Sequence, residues 1–473
     1  NSGLYRPLLK TIWTFEIACL GGSKAVVTLV SLLLHVCNAW LLMMIALAAG
    51  VRRIYAVLAA FWFALHTASV EVLMTGVGQG ELFTLLLSLL SLWLIFPRMD
   101  ESGQKSLNLR IALFVLFTTM NLYIKEQAFM AAAIGLSTLW LNPIYSIRKR
   151  VSATLLVSAM IIVSLAIRHG VIGALAPQGI YQLAADLPLG QRVILVIETI
   201  GRYVALGLAP RHLYIEYSWL SQSFPLHPTT LPFWLGILVL VGLGVFLFYC
   251  FNARNRKAFI ILLMTILPLF PFLNIRPIGT LLAERHLYHA LAGLSILISL
   301  GATRLTTTSP TPASTRTVLA CMMAVWALVL GQRTFLEVRT WKDGLTLWET
   351  VFARQPRSYF AASNIAYYKF AAGRLDEARL YAQKAIGLNP ACPEAHMTLG
   401  EIDLFKNDTK SAREHFIAAG VHPGFVRQST VALAIVDARS GNTERARQTY
   451  DWFRQHDPSV SGLQMLGKAL EAK

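Results

Sequence analysis

Long apolar runs recur through residues 1–335, and nothing else in the sequence limits the fold so tightly. In lipid a backbone amide finds no water to bond. A spanning segment must therefore be a self-satisfied helix, about 20 residues long. Runs of this character lie at 25–49, 54–75, 82–96, 109–123, 129–141, 151–175, 231–251, 258–273, 287–300 and 318–330. Ten spans are expected, the shorter ones completed by flanking polar residues. Composition agrees: of 473 residues 55% are hydrophobic and 14% charged, against about 25% charged in an ordinary soluble chain. The expected fold class is all-α, with a polytopic membrane helical bundle over 1–335.

The formal charge of +17 invites a nucleic-acid reading, and the placement of the charges argues against it. Alternate loops carry Arg52 and Arg53; Arg98, Lys105 and Arg110; Arg148, Lys149 and Arg150; Arg254, Arg256 and Lys257; Arg304 and Arg316. These 13 bases against Asp100 and Glu101 make +11 of the +17. Basic residues collect in cytoplasmic loops, so the excess is a topology signal and no nucleic-acid partner is expected. Segment 193–208 is apolar enough for a further span, but a crossing there would put the later basic loops outside. It is expected as a re-entrant or surface helix on the outer side. Its Glu198 and Arg202, spaced i,i+4, can pair along one face. This topology sets 64–81, Lys125, Glu126, Arg211, Glu216 and Arg285 at the non-cytoplasmic surface, together with everything after Arg333. Residues 4–20 are expected as a surface helix. The chain begins with Asn, not Met, and an upstream segment is expected. Five scattered cysteines, with no CxxC and no Cys/His cluster, are expected to be structural thiols.

Beyond a junction helix expected at 336–358, the pattern changes to a period of 34 residues. Ala378, Ala412 and Ala446 share it, as do Ile365, Leu399 and Leu433, and the small residues Ala366, Gly400 and Ala434. Turn positions Gly373, Asn407 and Gly441 keep the same spacing, and Pro390 and Pro458 stand two periods apart. This is the tetratricopeptide pattern, a pair of helices per repeat with small residues where they cross. Three repeats and a capping helix are expected over 359–473, forming an α-solenoid. Such an array binds a peptide or protein in its groove, or serves as a lid. Asn407-Asp408-Thr409 fits a glycosylation sequon.

No GxGxxG, Walker loop, HExxH or GxSxG occurs, which leaves serine hydrolase, metalloprotease and nucleotide-driven pump without support. Acids and bases gather instead at one face of the bundle. In order the chain carries Tyr5-Arg6-Pro7-Leu8, Leu34-His35-Val36-Cys37-Asn38-Ala39, Ala64-Leu65-His66 with Glu71, and Gly78-Gln79-Gly80-Glu81-Leu82. Then come Lys125-Glu126, Leu208-Ala209-Pro210 before Glu216-Tyr217, Glu284-Arg285-His286-Leu287-Tyr288, and Trp341-Lys342-Asp343 with Leu347-Trp348. Over nearly its whole length this resembles the transmembrane-and-tetratricopeptide O-mannosyltransferase-like family, itself similar to GT-C glycosyltransferases.

The resemblance implies transfer of a sugar, a mannose-like hexose first, from a polyprenyl-phosphate donor to a protein or glycan hydroxyl on the non-cytoplasmic side. The donor is a substrate. No cofactor is expected, and a divalent metal is left open. The partners implied are the lipid-linked sugar, the acceptor held in the repeat groove, and membrane lipids. Such chemistry needs a carboxylate as general base and cations that hold the departing phosphate. Glu71, Glu81 and Glu126 are the candidate bases in this chain. The resemblance places the family's base in the first outer loop, upstream of Asn1. Arg6, Lys125, Arg202 and Arg285 are candidate phosphate ligands; His66, Gln79, Glu216 and Tyr288 are expected to line the site. Each has a plainer alternative: Arg285 snorkels to headgroups, Lys125 and Glu126 anchor a helix end, Glu81 favours its helix N-terminus, and His66 is a bonded core histidine. At Gln79 the family commonly carries Arg. His35 and Asn38 are expected to bond between helices.

Two other functions fit the same residues. One is a non-catalytic scaffold whose repeats recruit extracytoplasmic partners; the other is a transporter of lipid-linked sugars. Short loops point to a bacterial inner membrane with periplasmic repeats, the endoplasmic reticulum with lumenal repeats being the alternative.

Overall fold

The computed structural model describes residues 5–97, 104–173, 187–224, 226–276, 280–307 and 313–471. Residues 1–4, Arg98, Asp100, Glu101, 174–175 and Lys473, all used in the sequence reading, lie outside them, as does the side chain of Lys105. The described residues form helices and turns, with no strand among them. Two compact units result: Asn1–Ile215 with Phe224–Arg339, and Glu216–Ser223 with Thr340–Lys473.

The first unit contains α1 Pro7–Leu20, α2 Lys24–Ala49, α3 Arg53–Ala64, α4 Val70–Met74, α5 Gln79–Ile95, α6 Gln104–Leu122 and α7 Ala128–Leu141. It continues with α8 Ile147–Ile172, α9 Leu189–Leu208, α10 Leu231–Asn252, α11 Arg256–Ile266, α12 Tyr288–Leu305 and α13 Ala313–Thr340. Helix ends follow local chemistry. Ser23 caps α2 by accepting from the Val26 N–H at 3.3 Å, and Gly50 ends it in the left-handed conformation at φ +93°. Thr230 caps α10, whose first turn carries Pro232. The core lies where α2, α3, α5 and α12 meet, with Leu42, Ile45, Tyr55, Phe63, Leu82, Tyr288 and Leu291 fully buried. On α8, α10 and α13, large apolar side chains such as Leu155, Leu238 and Leu328 stay exposed, a surface suited to lipid.

Among the described residues six helices are long and apolar enough to cross a membrane, which makes this an integral membrane protein. They are Lys24–Ala49, Gly76–Ile95, Ile147–Ile172, Leu231–Asn252, Glu284–Leu305 and Ser314–Thr340. The other four of the ten expected runs are bent or shorter. The run 54–75 is broken by a bend of 49° between Arg53–Ala64 and Thr67–Met74, and counts as a seventh span if the pair is taken as one. Ser106–Leu122 and Ala128–Leu141 are apolar but short: at 1.5 Å per residue neither reaches about 30 Å. The run 258–273 ends as α-helix at Ile266 and goes on as a 3-10 turn, Leu267–Phe272, carrying Pro268 and Pro271. The segment 193–208 forms α9, which is not among the helices apolar enough to cross. It is amphipathic, burying Leu195, Glu198, Thr199, Tyr203 and Leu206 along one side.

The second unit is a helical repeat region. After α14 Gly344–Arg354 come α15 Tyr359–Ala371, α16 Leu375–Leu388, α17 Pro393–Phe405, α18 Thr409–Gly420, α19 Val426–Arg439, α20 Thr443–His456 and α21 Leu463–Glu471. The period of 34 has two physical origins. Ala378, Ala412 and Ala446 are fully buried where helices cross. Gly373, Asn407 and Gly441, at φ +74°, +59° and +94°, make the turn inside each hairpin; Gly and Asn are the residues that tolerate this conformation. On α21, Leu463 and Leu466 close the last hairpin against Val431 and Phe453. The junction expected over 336–358 is two pieces: α13 continues to Thr340, and Asp343 caps α14 by accepting from the Thr346 N–H at 2.8 Å. Segment Glu216–Ser223, far earlier in the chain, also belongs to this unit.

Candidate functional site

The bend after α3 builds one wall of the site. His66 Nδ1 accepts from the Ala68 N–H at 3.2 Å, and its Nε2 donates to the Gly207 carbonyl at 3.0 Å. Both ring nitrogens are thus occupied, so His66 is a bonded core histidine that ties the bend to α9. Glu71 follows in the first turn of α4. The chain then makes a tight 3-10 turn, Gly76–Gly78, into α5. Gly78 passes so close to α4 that a Cβ there would sit 2.0 Å from the Val72 carbonyl oxygen. Glu81 in the first turn of α5 is thereby brought back beside Glu71's end of the bundle.

Each of these carboxylates meets a cation from a distant turn of the chain. Glu71 Oε1 accepts from Arg285 Nη1 at 2.5 Å, and its Oε2 from the Arg285 backbone N–H at 3.0 Å. Glu81, fully buried, pairs through Oε1 with Lys125 Nζ, while Oε2 stands 3.4 Å from His289 Nδ1. Glu126 bridges two arginines, Arg6 at 2.6 Å and Arg168 at 2.8 Å. Lys125 also lies within electrostatic reach of Arg6 and Arg285. Burial lowers its pKa most, Glu81 opposes that, and the two arginines reinforce it. Glu126 is held below the usual carboxylate range: burial works against ionisation, but Arg6, aided by hydrogen bonds from Arg6 and Arg168, outweighs it.

Of the expected site residues, the structure gathers Arg6, Glu71, Glu81, Lys125, Glu126 and Arg285. Tyr288 is fully buried one turn along from Arg285; its hydroxyl is 2.8 Å from His35 Nδ1 and accepts from Asn38 Nδ2 at 3.2 Å. Gln79 faces α1. Its Oε1 accepts from Trp13 Nε1 at 2.8 Å, and its Nε2 donates to Glu16 Oε1 at 3.3 Å. Two expected members stand apart from these pairs. Arg202 pairs within its own helix, with Glu198 at 2.5 Å. Glu216 belongs to the second unit, where its oxygens accept from Ser358 Oγ at 2.5 Å and the Ser218 N–H at 2.8 Å, and where burial pushes its carboxyl up. Sequence reading missed Arg168, Glu16 and Trp13. Arg168 had a usable signal, as an arginine inside the apolar run 151–175, where ionisable groups are costly without a partner.

No protein-family model matches the chain. The curated Protein O-mannosyl-transferase Tmtc1 of Drosophila melanogaster is similar to part of it. The two are 30% identical over 135 residues, which is 28% of this chain and 16% of the fly protein. The chain therefore spans about a sixth of that relative's length. The similarity is to a transferase that is named for moving mannose onto protein.

The cluster's charges do not cancel. Arg6, Lys125, Arg168 and Arg285 are four cations; Glu71, Glu81 and Glu126 are three carboxylates, leaving one positive charge. The Arg285 side chain keeps 31% of its surface and Arg6 13%, while Glu81 is sealed. An anionic group at this surface would find prearranged donors, and the partly exposed carboxylate of Glu126 beside them.

Proposed function

We propose that the protein is a membrane glycosyltransferase of GT-C type. It moves a mannose-like hexose from a polyprenyl-phosphate donor to a protein or glycan hydroxyl on the non-cytoplasmic side. The observation that carries this reading is the cation-rich cluster of Arg6, Lys125, Arg168 and Arg285 against Glu71, Glu81 and Glu126. The partial similarity to an O-mannosyl-transferase supports it. Arg285 and Arg6 hold the donor phosphate and offset the charge that grows as the sugar departs. Glu126, although paired with two arginines, is the carboxylate of this cluster best placed to face an acceptor hydroxyl, since its side chain is 23% exposed and those of Glu71 and Glu81 are buried. The 34-residue hairpins are tetratricopeptide repeats that present the acceptor. The test is transfer of radiolabelled sugar from polyprenyl-phosphate mannose by purified protein. Arg285→Ala is expected to lower the rate about a hundredfold; a folded variant with unchanged transfer overturns the assignment.

A second reading rests on one observation: every carboxylate of the cluster already has an ion partner. A scaffold whose repeats recruit partners needs only this. It predicts no transfer from any lipid-linked sugar, yet partner capture that persists in Arg285→Ala.

A further inference from the structure

In the repeat region, α17 and α18 of one hairpin bring two histidine rings together. His396 Nδ1 and His415 Nδ1 are 3.1 Å apart. The second nitrogen of each ring fixes what the first can be. His396 Nε2 lies 3.0 Å from the Pro390 carbonyl oxygen, which can only accept, so Nε2 carries the hydrogen. In the neutral ring Nδ1 then holds a lone pair. On the other side, Asp403 is buried, with Oδ1 bonded to Arg379 at 2.5 Å. Its Oδ2 has no hydrogen-bond partner among the described residues, and His415 Nε2 stands 3.8 Å from it. A hydrogen on His415 Nε2 faces that carboxylate across a gap too long for a hydrogen bond, and it gives His415 Nδ1 a lone pair as well; the other tautomer makes an Nδ1–H···Nδ1 hydrogen bond instead. In the first tautomer two lone pairs meet at 3.1 Å, an arrangement that a cation between them satisfies.

We propose that His396 and His415 form a two-histidine site for a divalent transition-metal cation of the zinc class, with Asp403 as the carboxylate behind His415. Zinc–nitrogen bonds of about 2.0–2.1 Å span this separation at an N–Zn–N angle of roughly 100°. A carboxylate or carbonyl behind each imidazole is the usual outer arrangement of metal-bound histidine: here Asp403 backs His415 and the Pro390 carbonyl backs His396. Among the described residues no three His, Cys, Asp or Glu side chains are placed to share a metal. Water therefore completes the coordination, and both rings are only half-buried, which leaves them open to it. The site is independent of the glycosyltransferase reading, because no residue of the membrane cluster takes part.

The test uses the full chain without a polyhistidine tag, stripped with chelator and titrated with Zn2+, with Mg2+ as the control. Calorimetry is expected to show one zinc site that is absent in His396→Gln and in His415→Gln and about tenfold weaker in Asp403→Asn. Wild-type protein is also read directly by X-ray absorption at the zinc edge, which is expected to show imidazole nitrogens. Equal zinc binding by wild type and both histidine variants, or an oxygen-only shell, means that the two nitrogens share a proton and no metal, and the proposal fails.

Discussion

Glu71 holds Arg285 twice, accepting its backbone N–H at 3.0 Å and its guanidinium at 2.5 Å across 214 positions of sequence. The backbone bond falls in the 3-10 turn Glu284–Leu287 that leads into α12. Glu71 thus acts as a remote cap for the most central helix of the bundle, and its charge suits that helix N-terminus. Glu71→Gln keeps an acceptor for the N–H but loses the charge. Glu71→Ala leaves both donors of Arg285 without an acceptor. Thermal unfolding in detergent should show a loss of about 1 kcal/mol for Gln and about 3 kcal/mol for Ala. Equal losses would mean that the backbone bond contributes nothing.

The bridge from Glu126 to Arg6 and Arg168 makes stability depend on acid. The pKa of Glu126 is lower folded than its ordinary value of 4.5. A depressed carboxylate contributes stability that is fully present above the unfolded pKa and is lost as pH falls through the folded one. The contribution should therefore be intact at pH 6 and should fade below about 4.5. Glu126→Gln removes it at every pH. The gap in melting temperature between wild type and variant should be full at pH 6 and narrow as pH falls below about 4.5; a gap that does not narrow on acidification would contradict the ionic origin.

The repeat period was legible in the sequence because each of its positions answers a local demand: a small residue at a crossing, a left-handed residue at a turn. The Glu198–Arg202 pair was legible for the same reason, being four residues apart on one helix. The spans were half legible. Apolar length is a compositional property, but where a helix stops depends on prolines such as Pro268 and Pro271 and on the polar turn at Lys125 and Glu126. Burial of Glu71, Glu81 and Arg168 could be read as a need for partners. Which partner each takes could not, since Arg285, Lys125 and Glu126 reach them through helices folded back from far along the chain. Gln79 shows the limit: its contacts with Trp13 and Glu16 follow from how α1 lies against α5, which no local pattern encodes.

The crossing of α9 and α10 should be unusually intolerant of a side chain at Gly201. A Cβ there would stand 1.8 Å from the Pro232 carbonyl oxygen, and one at Gly236 would stand 2.0 Å from the Ile197 carbonyl oxygen. Backbone meets backbone at both points, so no rotamer change relieves the clash. Gly201→Ala should cost about 1–3 kcal/mol. Gly242→Ala, on the same α10 with nothing within 4 Å of its Cβ, should be neutral or slightly stabilising. Matching losses for the two, measured by unfolding in the same detergent, would refute the close crossing.

The hairpins of the repeat region are joined by the same ion pair used twice. Arg379 on α16 meets Asp403 on α17, and Arg413 on α18 meets Asp437 on α19, each pair 24 residues apart and the two pairs 34 apart. In both, the aspartate is buried and the arginine partly exposed. The two partners are therefore unequal. With Arg413→Met the Asp437 carboxylate keeps only Arg445, at 3.8 Å, and the loss should be about 2 kcal/mol, since an enclosed charge is left behind. With Asp437→Asn the arginine can turn to water, and the loss should be about 1 kcal/mol. The double variant should lose less than the sum of the two, by about 1 kcal/mol of coupling. Strict additivity in a urea-unfolding cycle would show that the pair does not hold the hairpins together and that the repeat junction rests on its buried alanines alone.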